Sequence, residues 1–128
     1  MKIDFTKEMI EMEPGPNLYF MGTMDEYTLL SEIAITLSNQ NLEILLNDKF
    51  QKLEMEPRNL LISFRSSYVG NAFTKIQDDK IIVTLSPELW TRVASFAEVL
   101  STKKGHIFIE FDNENVIEDY NMIWSSEW

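Results

Sequence analysis

The chain has 128 residues, 45% of them hydrophobic and 25% charged, with 21 Asp and Glu against 11 Lys and Arg and a formal net charge of −10. That length fits one globular domain (1–128) burying roughly two-thirds of its unfolded surface, and the apolar content is too high for a disordered acidic tail. With no Cys and with His106 as the one histidine, disulfide, thiolate and zinc sites are excluded. No apolar run approaches the ~20 residues of a membrane span, and Met1-Lys2-Ile3-Asp4 lacks the shape of a signal peptide, so a cytoplasmic protein is expected.

Elements are read in chain order. Leu18–Met21 is an aromatic-rich strand after the breaker Pro14-Gly15-Pro16. Thr23 and Glu26 have capping-box spacing ahead of a helix from Met24 to Ser38, with Tyr27, Leu30, Ile33, Ala34 and Leu37 as its apolar stripe. Residues 42–55 are open between a helix, favoured by Leu42, Leu45, Leu46 and Leu53, and a hairpin turning at Asn47-Asp48. The helix is preferred. Asn59–Ser66 is a strand, and Phe73–Gln77 with Lys80–Leu85 forms a hairpin about Asp78-Asp79.

The strongest helix signal runs from Ser86 to Lys104. Ser86 suits the N-cap, Pro87 the first turn, and Leu89, Val93, Phe96, Ala97 and Leu100 recur at helical spacing. Lys103 and Lys104 suit the last turn, and Gly105 a left-handed stop. His106–Phe111 and Tyr120–Trp124 then flank the polar turn Asp112–Asn115 as a second hairpin. The expected fold is α+β, a mainly antiparallel sheet carrying two or three helices as a single layer pair. No internal repeat or low-complexity tract divides the chain.

Charge is distributed unevenly. Glu8 to Asp48 holds eight acidic residues and no basic one, and Gly105 to Trp128 holds six and none. Between them, Lys49 to Lys104 carries nine basic and six acidic residues. If the two flanking stretches lie side by side they make one negative face, which repels nucleic acid and anionic lipid and steers basic partners inward.

Motifs for chemistry are sparse. His106 opens a strand, and nothing in the sequence selects a carboxylate or nucleophile to work with it. Glu110 and Asp112 share a strand face roughly 7 Å apart, a spacing that suits an inverting glycosidase, but a chain this short has little material for a sugar cleft. The alternating acids of Asp112-Asn113-Glu114-Asn115 lack the Gly and Glu that complete a calcium loop. Gly15, Gly22, Gly70 and Gly105 are scattered, with no phosphate loop. No cofactor or metal is expected.

The C-terminal stretch combines acids with large aromatics. Its residues Tyr120, Met122 and Trp124 suit the core face of a last strand. Its aromatics equally suit anchors inside a polar rim. In its length, acidic composition and α+β pattern, with the acidic, aromatic hairpin from Phe111-Asp112 through Asp119-Tyr120 to Trp124 as the nearest specific feature and no family motif, the chain resembles the immunity proteins of bacterial toxin–immunity systems, including those of contact-dependent growth inhibition. The resemblance implies a small, cytoplasmic, non-catalytic protein that binds a cognate toxin domain. On that reading, Glu110, Asp112, Glu114, Glu118 and Asp119 occlude a basic cleft, such as that of a nuclease, with Tyr120, Trp124 or Trp128 as anchor. The partner is then a basic protein, with neither nucleic acid nor membrane bound. The alternatives are a DNA mimic that antagonises DNA-binding proteins, and a small α+β enzyme with a buried pocket using carboxylates and Tyr27 or Tyr68.

Overall fold

The computed structural model describes residues 1–6, 17–56, 58–67, 73–77, 79–109, 117–118 and 121–126, with backbone alone for 6, 73–77, 117–118 and 121. It is an α+β fold, with ten strands and two helices among the described residues. In chain order these are β1 (Lys2–Thr6), β2 (Asn17–Met21), α1 (Met24–Asn39), β3 (Glu43–Leu45), a 3-10 turn (Leu46–Asp48), β4 (Glu54–Glu56) and β5 (Leu61–Ser66). There follow β6 (Phe73–Gln77), β7 (Lys80–Leu85), α2 (Pro87–Thr102), β8 (His106–Ile109), β9 (Ile117–Glu118) and β10 (Asn121–Ser125).

Two five-stranded sheets result, the first ordered β4-β1-β2-β10-β8 and the second β3-β5-β7-β6-β9. Each is mixed rather than mainly antiparallel. In the first, β1 runs parallel to β4 and β2 parallel to β10, while β1–β2 and β10–β8 are antiparallel. No described helix is long and apolar enough to cross a membrane.

The expected helices form where their caps place them. Thr23 and Glu26 make the reciprocal capping box, and the Ser86 hydroxyl accepts from Leu89 N. The end of α2 differs from expectation. Its C-cap is Lys103 in an extended conformation, so Lys103 and Lys104 lie past the last turn, and Gly105 is not left-handed. A distant residue holds the chain just past this end. The Ser126 hydroxyl donates to Lys103 O at 3.0 Å and accepts from Gly105 N at 3.1 Å.

Residues 42–55 are not a helix. They supply β3 to one sheet and β4 to the other, joined through the 3-10 turn, whose Leu46 is fully buried. The Asn47 side chain clamps this turn to the next strand, accepting from Ile62 N at 2.9 Å and donating to Leu60 O at 3.3 Å. Edge pairing in two sheets overrides the leucine spacing here. The hairpin β6–β7 forms in the expected register, and β8 pairs antiparallel with β10. The turn residue Asp78, the turn Asp112–Asn115 and the breaker Pro14-Gly15-Pro16 lie outside the described residues.

The topology is duplicated, which the sequence does not reveal. Each half runs hairpin, helix, edge strand, short strand, long strand. The first half gives β1-β2-α1-β3-β4-β5 and the second β6-β7-α2-β8-β9-β10. Helix starts (24 and 87), third strands (43 and 106) and fourth strands (54 and 117) are each 63 positions apart. Every ladder of one sheet has its counterpart in the other, because each half lends its last strand to the other half's sheet.

Equivalent residues meet at the centre. The Ser31 hydroxyl donates to Ala94 O at 3.3 Å where α1 crosses α2, and the rings of Phe64 and Trp124 stack 6.3 Å apart at 6°. Phe20 and Trp90 extend this aromatic cluster, and one apolar core joins both halves. Between residues 17–46 and 80–109 the only identities are Thr28/Thr91, Ala34/Ala97, Leu37/Leu100, Ser38/Ser101 and Ile44/Ile107. What is preserved is burial, as with Tyr27/Trp90, Leu30/Val93 and Leu18/Ile81.

Candidate partner-binding end of the first sheet

Side chains alternate across a strand, so the pairing registers fix which residues share a face. On the first sheet, Ile3, Leu18, Phe20, Met122 and Trp124 point to the core. The opposite face carries the row Glu56, Asp4, Tyr19, Ile123, Phe108, each opposite the next. Ile123 is fully buried although it stands outside the main core, between the half-buried Tyr19 and Phe108. This is an aromatic and aliphatic strip with acids at one side.

Asp4 is the strained member. Burial raises its pKa, Lys2 at 3.9 Å pulls it back, and the Glu56 carboxylate adds to the rise, leaving the net shift upward. A carboxylate with a raised folded pKa weakens the folded state above that pKa, and the penalty disappears as pH falls through it. Asp4→Asn is therefore expected to raise the melting temperature at pH 7, by less than about 1 kcal/mol of stability. The gain should shrink as the pH is lowered, which thermal unfolding at several pH values measures. Equal or lower stability at pH 7 would contradict it.

The equivalent face of the second sheet is chemically different. There Glu43 accepts from the Ser63 hydroxyl and the Lys80 ammonium, which holds its carboxyl below the usual range, and Arg65 Nε donates to Thr84 Oγ1 at 3.1 Å. Tyr19 is replaced by Ile82, Phe108 by Leu45 and Ile123 by Ser63. The halves share a core and differ on their outer faces.

Placement of the charge is the clearest feature. Of the 21 acids and 11 bases, eleven acids and nine bases have described side chains, so the scaffold is close to neutral. Among the other ten acids, Glu8, Glu11 and Glu13 belong to residues 7–16, and Glu110, Asp112, Glu114, Glu118 and Asp119 to residues 110–120, of which Glu118 is in β9 of the second sheet. Both stretches are attached to the same end of the first sheet. Thr6 pairs with Asn17, Asn17 with Asn121, and Met122 with Ile109. The two acidic, nearly cation-free parts of the chain thus join neighbouring strands.

Of the expected site residues, Glu110, Asp112, Glu114, Asp119, Tyr120 and Trp128 lie outside the described residues. Glu118 is in β9, opposite Thr74 at the edge of the second sheet. Trp124 is not a surface anchor. It is fully buried, with its ring against Phe20 at 5.5 Å and Tyr27 at 5.8 Å, because strand alternation turns Met122 and Trp124 inward. Tyr19 and Phe108 were missed, since an outer-face aromatic is told from a core one only by knowing which face is covered. His106 is exposed, its ring edge-on to Phe108 at 5.9 Å.

Among the described residues, no group of three His, Asp or Glu could hold a metal ion. An open groove of about 670 Å³ beside β4 interleaves Lys2 and Arg58 with Glu54 and Glu56. Tyr27 lies in the core, its hydroxyl donating to Phe20 O at 3.0 Å and its pKa pushed far up by burial, so it is no acid–base group. Tyr68 lies outside the described residues. No family model, curated protein or solved structure matches the chain.

Proposed function

We propose that this is a non-catalytic inhibitor of the immunity-protein kind, which neutralises a basic protein partner such as a nuclease toxin domain by covering its cleft with negative charge. The observation that carries the reading is the attachment of the two acid-rich stretches, 7–16 and 110–120, to one end of the first sheet. Concentrated charge of one sign accelerates encounter with an oppositely charged surface and orients it. Tyr19 and Phe108 beside that end supply aromatic contact area, the role expected of Trp124. A cytoplasmic location follows from the same reading.

The test is affinity capture from source cells with the intact protein as bait, at low and at moderate salt. The expected result is one basic protein, retained at low salt, whose enzymatic activity is suppressed in the complex. Retention of several unrelated DNA-binding proteins would favour a DNA mimic instead. Retention of no protein, or of an acidic one whose binding is indifferent to salt, would contradict the proposal.

A further inference from the structure

The two halves are held together by the most buried parts of the molecule. The ladders β2–β10 and β5–β7 lie inside the sheets, and both join one half to the other. The crossing of α1 with α2 and the stacking of Phe64 on Trp124 also join them. Pairings within a half, β3–β5 and β1–β4 for instance, include the sheet edges. A half by itself would therefore expose two unpaired strands and the buried faces of Leu18, Phe20, Ile62 and Phe64.

We propose that the chain exchanges halves with a second copy of itself, residues 1–66 of each copy completing both sheets with residues 73–126 of the other. This inference is independent of the toxin-binding reading. An exchanged dimer keeps every ladder, every core contact and the helix crossing, so it differs from the monomer only in the link between halves and in concentration. That link has a defined job in the monomer. Ser66 stands opposite Leu85 on one side of β7 and Phe73 opposite Thr84 on the other. The chain must pass from one flank of β7 to the other, roughly 10 Å at normal strand spacing. Six positions, 67–72, are enough to cover this, and a connection of that length gives the partner half an effective concentration of about 1 mM. The monomer therefore dominates at micromolar concentration, and shortening the link reverses the preference.

The test deletes residues 68–72 from the full chain. Ser67 alone then spans roughly 7 Å, too short to cross β7, while two chains can still exchange halves. A control replaces 68–72 with five Gly and Ser residues. The expected result is a deletion variant with close to twice the 15.0 kDa chain mass by light scattering, with native circular dichroism and buried-tryptophan fluorescence, beside a monomeric control. Wild-type chain refolded near 1 mM should give the same dimer in an amount comparable to the monomer. A natively folded monomeric deletion variant would overturn the proposal. So would an unfolded deletion variant beside a folded control, or failure of both to fold, since exchange requires a passive link.

Discussion

Replacing Trp124 by Ala should remove about 3–5 kcal/mol of stability, a large share of the 5–15 kcal/mol typical of a domain, and at 37 °C leave much of the chain unfolded. The residue is fully buried between the sheets, touching Phe20, Tyr27 and Phe64, so truncation opens a cavity where both halves meet. Trp124→Phe should behave differently, changing stability by less than about 1 kcal/mol. The indole Nε1–H of Trp124 is buried without a hydrogen-bond partner among the described residues. Deleting it removes a desolvation penalty that offsets the lost area. The equivalent position in the other half is already a phenylalanine, Phe64.

Trp90 supplies the contrast. Its Nε1 donates to Arg65 O at 2.9 Å, so Trp90→Phe gives up that hydrogen bond as well as buried apolar area and should cost about 2 kcal/mol. Urea unfolding of the three variants measures all of this. A Trp124→Phe loss as large as that of Trp90→Phe would show that the indole of Trp124 is held by a bond the geometry does not contain.

Local signals in the sequence were sufficient for the helices. Thr23 and Ser86 each cap the residues they precede, and the stripe Tyr27–Leu37 is the buried one. In α2, Leu89, Val93, Ala97 and Leu100 are buried as expected, Phe96 is only partly so, and Trp90 and Ala94 join them. Hairpins with short links, such as β6–β7, were equally legible. Elements whose partners are distant were not. Lys2–Thr6 alternates in polarity as a half-buried strand should, yet it becomes a strand by pairing with β2 and β4. Leu42, Leu45, Leu46 and Leu53 are spaced for a helix and are instead distributed over an edge strand, a clamped 3-10 turn and the approach to another edge. The exchange of β5 and β10 between halves leaves no trace in local propensity, because it needs only buried residues at the right positions.

The same division holds for the candidate site. The acidic runs are plain in the sequence, and their adjacency is not, since it depends on β2 pairing parallel with β10. Trp124 shows the opposite case. Its aromatic, acid-flanked setting suited an anchor, and only the burial of one strand face decides that it serves the core.

Charge at the end of the first sheet gives the second large effect. Reversing Glu110, Asp112 and Glu114 to Lys replaces three negative charges with three positive ones beside the attachment points of β8 and β10. Rim charges act chiefly through the association rate, which steering raises by 10–10³-fold. The triple variant should bind the basic partner at least about 100-fold more weakly at low salt while unfolding at the same urea concentration as the wild type. Stopped-flow association with the captured partner, across a series of ionic strengths, reads this directly. The account predicts a wild-type rate that falls steeply as salt rises and a flat, slow rate for the triple variant. Equal rates with equal salt dependence in the two proteins would contradict it.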